Sequence, residues 1–350
     1  MELKLQAEQA RAFCLDVLAQ VGVPTAAAQI CADSMLDASL RGVDSHGVAL
    51  LATYVERIRS GQIQPDKQWV IRRQGPTTAL CDGQQGLGPP LACAAADLAL
   101  DKAQQYGLGA VSLYDCNYTG ALSFYVRRIA AQGAIGLCTA NATPRVAPFG
   151  GRQGLHGTNP IAYAAPTQAG EPLIFDAATG HAAARIIQAL DEGKTLNAGI
   201  ALDNQGNATT DPQAALQGWL LPVGGALGYG LGFLADLLSG GLAGGPCGVD
   251  VPPVSEAAGP YGCGFFALAI DPERFGGREV FAERCSFLID SARAIPPATG
   301  FDQVRAPGDR ARAEHQHRLS AGIPFAQRRW QAILDRLAAC DVDVENWHSL

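Results

Sequence analysis

Seven residues, Arg41-Gly-Val-Asp-Ser-His-Gly47, place an imidazole beside a hydroxyl and a carboxylate, with glycine on either side. An imidazole with a pKa of about 6.5 can give and take a proton near neutral pH, and an adjacent hydroxyl can fix its orientation. Asp44, Ser45 and Gly47 favour a turn or a helix N-terminus, so His46 should leave the backbone at an element boundary, within reach of a substrate. The same residues equally suit a plain helix start, with Asp44 or Ser45 as its cap and His46 as a satisfied polar side chain. Local chemistry alone leaves both readings open.

Other chemistries leave weaker traces. No G-x-G-x-x-G follows a strand and opens a helix with an acid some twenty residues on, so the usual dinucleotide fingerprint is missing. The glycine clusters Gly83–Gly88, Gly150–Gly157 and Gly224–Gly232 have other spacings, and the last lacks the lysine and hydroxyl of a phosphate loop. No cysteines pair as C-x-x-C and no His, Cys and acid cluster has ligand spacing, so no metal is expected. Of the ten cysteines, Cys14, Cys31, Cys93, Cys138, Cys285 and Cys340 sit in apolar patterns, as buried reduced thiols in a cytoplasmic protein would.

The elements that must position His46 follow from periodicity. Phe13, Val17, Leu18 and Val21 recur at helical spacing until Gly22. Thr25 can cap a second helix carrying Ile30, Met35, Leu36 and Leu40, and a third holds Leu51, Tyr54, Val55 and Ile58 before Gly61. Short strands are then expected at Thr78–Cys81, Ala110–Tyr114, Ile135–Thr139, Ile161–Ala165, Leu173–Asp176 and Gly264–Ile270. Helical patterns lie between them at Leu91–Gln105 and Ala121–Ala131, and Phe325, Trp330, Ile333 and Leu337 mark a last helix. Such alternation means an α/β fold. With 350 residues, 48% of them hydrophobic, the chain can bury a large core and hold two domains. A net charge of −7 without runs of like charge argues against a nucleic-acid surface. The N-terminus lacks a signal-peptide pattern, and the longest apolar stretches, broken by glycines and an Asp, fall short of a membrane span.

The order of several blocks resembles the malate/L-lactate dehydrogenase family, whose fold is unrelated to the ordinary Rossmann dehydrogenases. The resemblance is carried by Arg41–Gly47, Asn141-Ala-Thr-Pro-Arg-Val-Ala-Pro-Phe-Gly-Gly151, Gly157-Thr-Asn-Pro160, Asp176-Ala-Ala-Thr179 and Asp211-Pro212. It continues through Leu221-Pro-Val-Gly-Gly225, Gly228-Tyr-Gly-Leu231, Ala306-Pro-Gly-Asp309 and Ala321-Gly-Ile323. The resemblance implies a homodimer in which NADH or NADPH exchanges a hydride with a carbonyl or imine carbon of a small metabolite. It casts His46 as general acid/base and Ser45 as its orienter. Thr158 would then touch substrate, while Tyr118, Thr119, Gly120, Ala121, Asp176, Ala177, Ala178, Leu227, Pro307, Gly308 and Asp309 would lie along the cofactor. Bland roles compete: Thr158 and Asn159 as a turn, Pro307–Asp309 as a helix cap. The expected architecture packs a helical portion, residues 1–70 with 300–350, around a sheet-containing region, residues 71–299.

Four departures stand out against that resemblance. Four residues after the histidine the family usually has an arginine that grips the substrate carboxylate, and here stands Leu50, which offers a carboxylate nothing. After Asp176, Gly180, Arg185 and Ile186 replace a serine, a glycine and a polar residue that in some members polarises the histidine. Leu227 replaces a lysine, and Tyr118 a histidine near the cofactor loop. These changes suit a reductase of altered specificity; a non-redox isomerase, cyclase or lyase using His46, or a binding protein, would also accommodate them. An Arg185 guanidinium directed into the cleft would replace the lost grip at Leu50.

Overall fold

The computed structural model describes residues 2–253 and 259–348. The chain starts with strand β1 (Glu2–Leu5) and three helices, α1 (Ala7–Gln20), α2 (Thr25–Leu40) and α3 (Leu51–Arg59). A reciprocal capping box between Gln6 and Gln9 begins α1, and Gly22 leaves it with φ +76°. Thr25 is the first helical residue of α2 rather than its cap; Pro24 holds the cap position and makes no side-chain bond there.

The middle of the chain contributes β2 (Val70–Gln74), β3 (Thr78–Asp82), α4 (Gly88–Tyr106), β4 (Leu108–Cys116), α5 (Ser123–Ala130) and β5 (Ile135–Ala140). It continues with β6 (Ile161–Ala165), β7 (Leu173–Ala177), α6 (Ala183–Asp191), β8 (Ala201–Leu202), β9 (Ala208–Thr209), α7 (Pro212–Gln217) and β10 (Trp219–Leu220). After α8 (Ala226–Ser239) come β11 (Cys263–Ile270), α9 (Arg278–Arg293), α10 (Asp309–Ala321), β12 (Ile323–Ala326) and α11 (Gln327–Ala338).

Seven strands form one mixed sheet in the order β2-β3-β4-β11-β5-β6-β7, in which only β3 and β4 run parallel. The fold is therefore α/β with a central sheet, and α4 and α5 pack their apolar sides on it. A fully buried stripe of Ala95, Ala96, Ala99 and Ala103 lets α4 approach closely, and a Cβ at Gly109 would come within 1.9 Å of the Ala99 carbonyl. A second sheet, β10-β8-β9, belongs to a small lobe cored by Val146, Ile186, Leu196, Ile200, Ala215 and Leu220.

The two ends of the chain are joined. β1 pairs antiparallel with β12, and one hydrophobic cluster draws on residues between Leu5 and Ile63 and between Ile323 and Val344. Phe13 is its hub, with ring centroids 4.8 Å from Trp330 and 5.0 Å from Trp347. Each large apolar side chain buried in this way stabilises the fold by about 1.5–3 kcal/mol.

Two expectations need correction. All ten cysteines are free thiols, but Cys285 and Cys340 are half-buried rather than buried. Residues 226–243 form a helical stretch long and apolar enough to cross a membrane by length and composition, although only 33% of it is buried. Its Asp236 is buried, accepting from Asn141 Nδ2 at 3.0 Å and from the Gly248 amide at 2.7 Å, which ties α8 to the sheet.

Candidate active site

The His46 loop is held from below. Gly42 turns the chain out of α2 with φ +75°, and the Val43 amide donates back to Ala38 O at 2.8 Å. Asp44–His46 then make a single 3-10 turn. Gly47 is required by space, because a Cβ there would lie 2.0 Å from Ser39 Oγ, the atom that accepts from the Val48 amide at 3.0 Å. Asp44 caps no helix; its carboxylate accepts from Arg318 of α10 at 2.5 and 3.2 Å, and Arg318 also donates to Ser39 O at 2.7 Å. One buried guanidinium thus ties both sides of the loop to α10. Ser45 makes no cap either: its Oγ lies 2.9 Å from His46 Nδ1, so the hydroxyl orients the ring and leaves Nε2 for proton exchange.

His46 is half-buried and keeps partial access to solvent. Burial lowers its pKa, and the negative charge of Asp176 acts against that. Asp176 ends β7 beside the N-terminus of α5, where the Ser123 amide donates to its Oδ2 at 2.7 Å. Its carboxylate is wetted yet hemmed in; desolvation raises its pKa, while the Ser123 bonds and the His46 charge oppose the rise. Position 186, where the resemblance implied a polar residue, is fully buried Ile186 in the small lobe, and the charge that acts on His46 is that of Asp176. The lowered pKa keeps the imidazole neutral at pH 7. For a reduction that needs His46 protonated, kcat/KM therefore falls as pH rises through that lowered value. Asp176→Asn removes the charge that raises it, so the limb will move to lower pH while the Ser123 bond stays available. A pH profile of kcat/KM checks this, and a limb that stays put or moves up refutes it.

The other segments meet around the end of β7. Thr158 O accepts from the Thr179 amide at 2.9 Å and from Thr179 Oγ1 at 3.1 Å. Val223 N donates to Thr179 O at 2.9 Å, and Gly180 pairs with Pro222, which docks the Leu221–Gly228 turn there. A Cβ at Gly228 would lie 2.0 Å from Val223 O and 2.7 Å from Thr179 O, so this turn admits only glycine. On the other side, a Cβ at Gly308 would lie 2.6 Å from Ile174 O, so the Pro307–Asp309 turn abuts β7 two residues before Asp176. Gly120 faces Ser34 Oγ and Tyr54 Oη, while Thr119 and Ala121 are buried and Ala177 and Ala178 half-buried. Leu227 is 70% exposed on the first turn of α8.

Some residues have other work. Asp309 accepts from Arg293 at 3.0 and 2.5 Å, from Arg312 at 2.7 Å and from the Ala306 amide at 2.8 Å, and Arg293 holds its carboxyl below the ordinary range. Leu50, 9% exposed, packs into the helical cluster. Arg185 is exposed on α6, and its charge acts on His181, lowering that pKa after burial; the expected grip beside His46 is not what α6 presents. Asn159 is no mere turn residue. Fully buried at φ +27°, it accepts from the Ala142 amide at 3.2 Å and donates to Gly232 O at 3.1 Å, clamping Thr158 in place. Arg57, with its guanidinium over the Tyr118 ring, and Arg145, whose charge acts on the Tyr118 phenol, were not singled out by the sequence. A recess of about 440 Å³ borders the docked turn, lined by Phe149, Arg152, His181, Leu202, Pro222 and Gly225 among others.

The chain as a whole resembles known proteins. Residues 5–334 match the malate/L-lactate dehydrogenase family. The chain belongs to that family. It is an oxidoreductase, a nicotinamide-dependent dehydrogenase by class. It is 35% identical to L-sulfolactate dehydrogenase of Methanocaldococcus jannaschii, over 87% of this chain and 88% of that one. The solved structure of sulfolactate dehydrogenase from that organism superposes with a TM-score of 0.91 at 32% identity, covering 98% and 99% of the two chains. Ureidoglycolate dehydrogenase (NAD(+)) of Escherichia coli is 31% identical over 95% of each chain. The (2R)-3-sulfolactate dehydrogenase (NADP(+)) of Chromohalobacter salexigens is also 31% identical, over 97% of this chain and 98% of that one.

Proposed function

We propose that this dehydrogenase moves a hydride between NADH or NADPH and a carbonyl or imine carbon of a small metabolite, with His46 as the proton donor and acceptor. The observation that carries this is the Ser45–His46 pair set against Asp176 where the Thr119–Ser123, Asp176–Ala178 and Pro307–Asp309 segments meet. Small side chains at Gly120, Ala121, Ala177 and Ala178 suit a flat ring beside the imidazole. The nicotinamide, when bound, supplies or accepts the hydride. Ser45 Oγ holds Nδ1, so His46 Nε2 carries the proton to a developing oxyanion or amine and takes it back in oxidation. Asp176 steadies the imidazolium that forms in oxidation.

We further propose a cytoplasmic homodimer. Leu227, Phe233, Leu234 and Leu237 on α8 and Phe287 and Leu288 on α9 are exposed, more apolar surface than scattered single side chains explain. A second copy of the chain is the partner that would cover it.

A fluorescence titration tests the cofactor assignment. Saturable binding of NADH or NADPH, abolished by the competing oxidised form, is expected. Folded protein that binds neither would overturn the redox reading and leave His46 as the base of a non-redox reaction.

A further inference from the structure

Among the described residues, two arginines whose charges act on Tyr118 make no ion pair. Arg57 of α3 is 4% exposed, its Nη1 donates to Asn117 Oδ1 at 2.6 Å, and its Nη2, shut off from solvent, reaches no acceptor. The guanidinium carbon lies 4.4 Å from the ring centroid of Tyr118 and 4.3 Å from that of Tyr261, and the two rings stack at 5.4 Å. Arg145 comes from the Asn141–Gly151 block, and its Nε is likewise sealed from water and unbonded. Both charges bear on the Tyr118 phenol, opposing the rise in its pKa that burial causes. Among the described residues, the ion pairs formed by arginines include neither Arg57 nor Arg145. A sealed cationic donor left unmade is costly unless something meets it.

Their place relative to the reacting histidine is fixed by two elements. Leu50, Tyr54 and Arg57 recur at i, i+4 and i+7 on one buried face, and Tyr54 Oη donates to Tyr118 O at 2.9 Å. Arg57 is therefore about 10 Å, or two helical turns, along α3 from Leu50, where the resemblance implied a carboxylate-gripping arginine. From the opposite wall, Val146, next to Arg145, packs on Gly180, where a Cβ would come within 2.4 Å of Val146 Cγ2. Gly180 follows the Asp176–Thr179 block directly.

We propose that Arg57 and Arg145, together with the Tyr118 phenol, form an anion subsite that replaces the cation missing at Leu50. It rests on the dehydrogenase reading and deepens it: the reacting carbon lies at His46, and the anionic group it recognises lies about two helical turns farther along α3. Two sources have this chemistry, a carboxylate or sulfonate at the far end of an elongated substrate and a phosphate of the cofactor. A planar guanidinium offers either a bidentate pair of donors.

Calorimetric titration of the full-length protein, with and without saturating NADH, tests the proposal using malonate, methanesulfonate and the uncharged malonamide. Wild type should bind the two anions and not malonamide, and Arg145→Leu should weaken the anions by about tenfold or more. Unchanged NADH and NADPH affinity in that variant places the anion on the substrate; a matching loss of cofactor affinity places it on the cofactor. Arg57→Lys should retain part of the anion affinity, and Arg57→Gln should lose it. If Arg57→Gln fails to fold by circular dichroism, Arg145→Leu and Arg57→Lys decide. An Arg145→Leu protein with unaltered affinity for both anions and both cofactors overturns the subsite. Wild type that binds anions but neither nicotinamide would sink the dehydrogenase reading and spare the subsite.

Discussion

Replacing His46 by alanine will lower kcat/KM by about 10²–10⁴-fold and leave the fold standing. The size follows from what the side chain does. Without Nε2, the oxyanion or amine that forms on hydride transfer must take its proton from water, which is neither positioned nor tuned. The modest structural cost follows from what the side chain does not do. His46 keeps solvent access, and among the described residues its imidazole is hydrogen-bonded to the exposed hydroxyl of Ser45. The loop is held by other atoms: Arg318 on Asp44 and Ser39 O, and Ser39 Oγ on the Val48 amide. Ser45→Ala should cost less than His46→Ala, because the imidazole remains and loses only the hydroxyl that orients it. Steady-state kinetics with far-ultraviolet circular dichroism distinguish the cases. Full activity in His46→Ala refutes the role, and collapse of the fold shows that the residue is structural.

How much could be read in advance depended on the range over which each interaction acts. Ser45 and His46 are neighbours in sequence, so their pairing was legible, as were helices α1 to α5 and six strands of the central sheet, whose period is local. Asp44 was readable only as a turn residue, since its partner Arg318 lies 274 positions away. The charge that acts on His46 is that of Asp176, placed by the pairing of β6 with β7 and by the start of α5, which no spacing reveals. β1 and β12 are four residues each and pair across the whole chain, so neither carries a signal alone. β2 escaped for a different reason. It is an edge strand with Arg72, Arg73 and Gln74 turned to water, and it lacks the apolar alternation that marks a half-buried strand. Cys285 lies in a helix without a buried residue, so the apolar pattern around it reports a surface, not a core. Arg57 reads in sequence as one of several charged residues on α3 and Arg145 as part of the Asn141–Gly151 block; that both charges act on Tyr118 is tertiary.

Pyruvate and oxaloacetate will be poor substrates, and the reason lies at Leu50. In a small 2-oxo acid the carboxylate is one bond from the reacting carbon, so the cation that holds it must stand close to His46. Position 50, four residues on and at the start of α3, is such a place, but Leu50 is 9% exposed and packed among apolar side chains. Losing a charge-assisted hydrogen bond there forfeits about 1.5–3 kcal/mol of binding. That lowers kcat/KM by about tenfold to a hundredfold relative to an enzyme that keeps the guanidinium. Among the described residues Arg57 and Arg145 join no ion pair; Arg57 is buried with its guanidinium over the Tyr118 ring, and the charge of Arg145 acts on the same phenol. Arg57 is about two helical turns farther on, too far to reach the same carboxylate. Leu50→Arg supplies the complementary test. Its stem can run along the apolar cluster with its head toward the cleft, and kcat/KM for oxaloacetate should then rise by about tenfold or more. Initial rates with NADH and NADPH, followed by absorbance at saturating cofactor, measure both enzymes. Robust turnover of either acid by the wild type would show that a carboxylate beside His46 is held by something other than the residue at position 50.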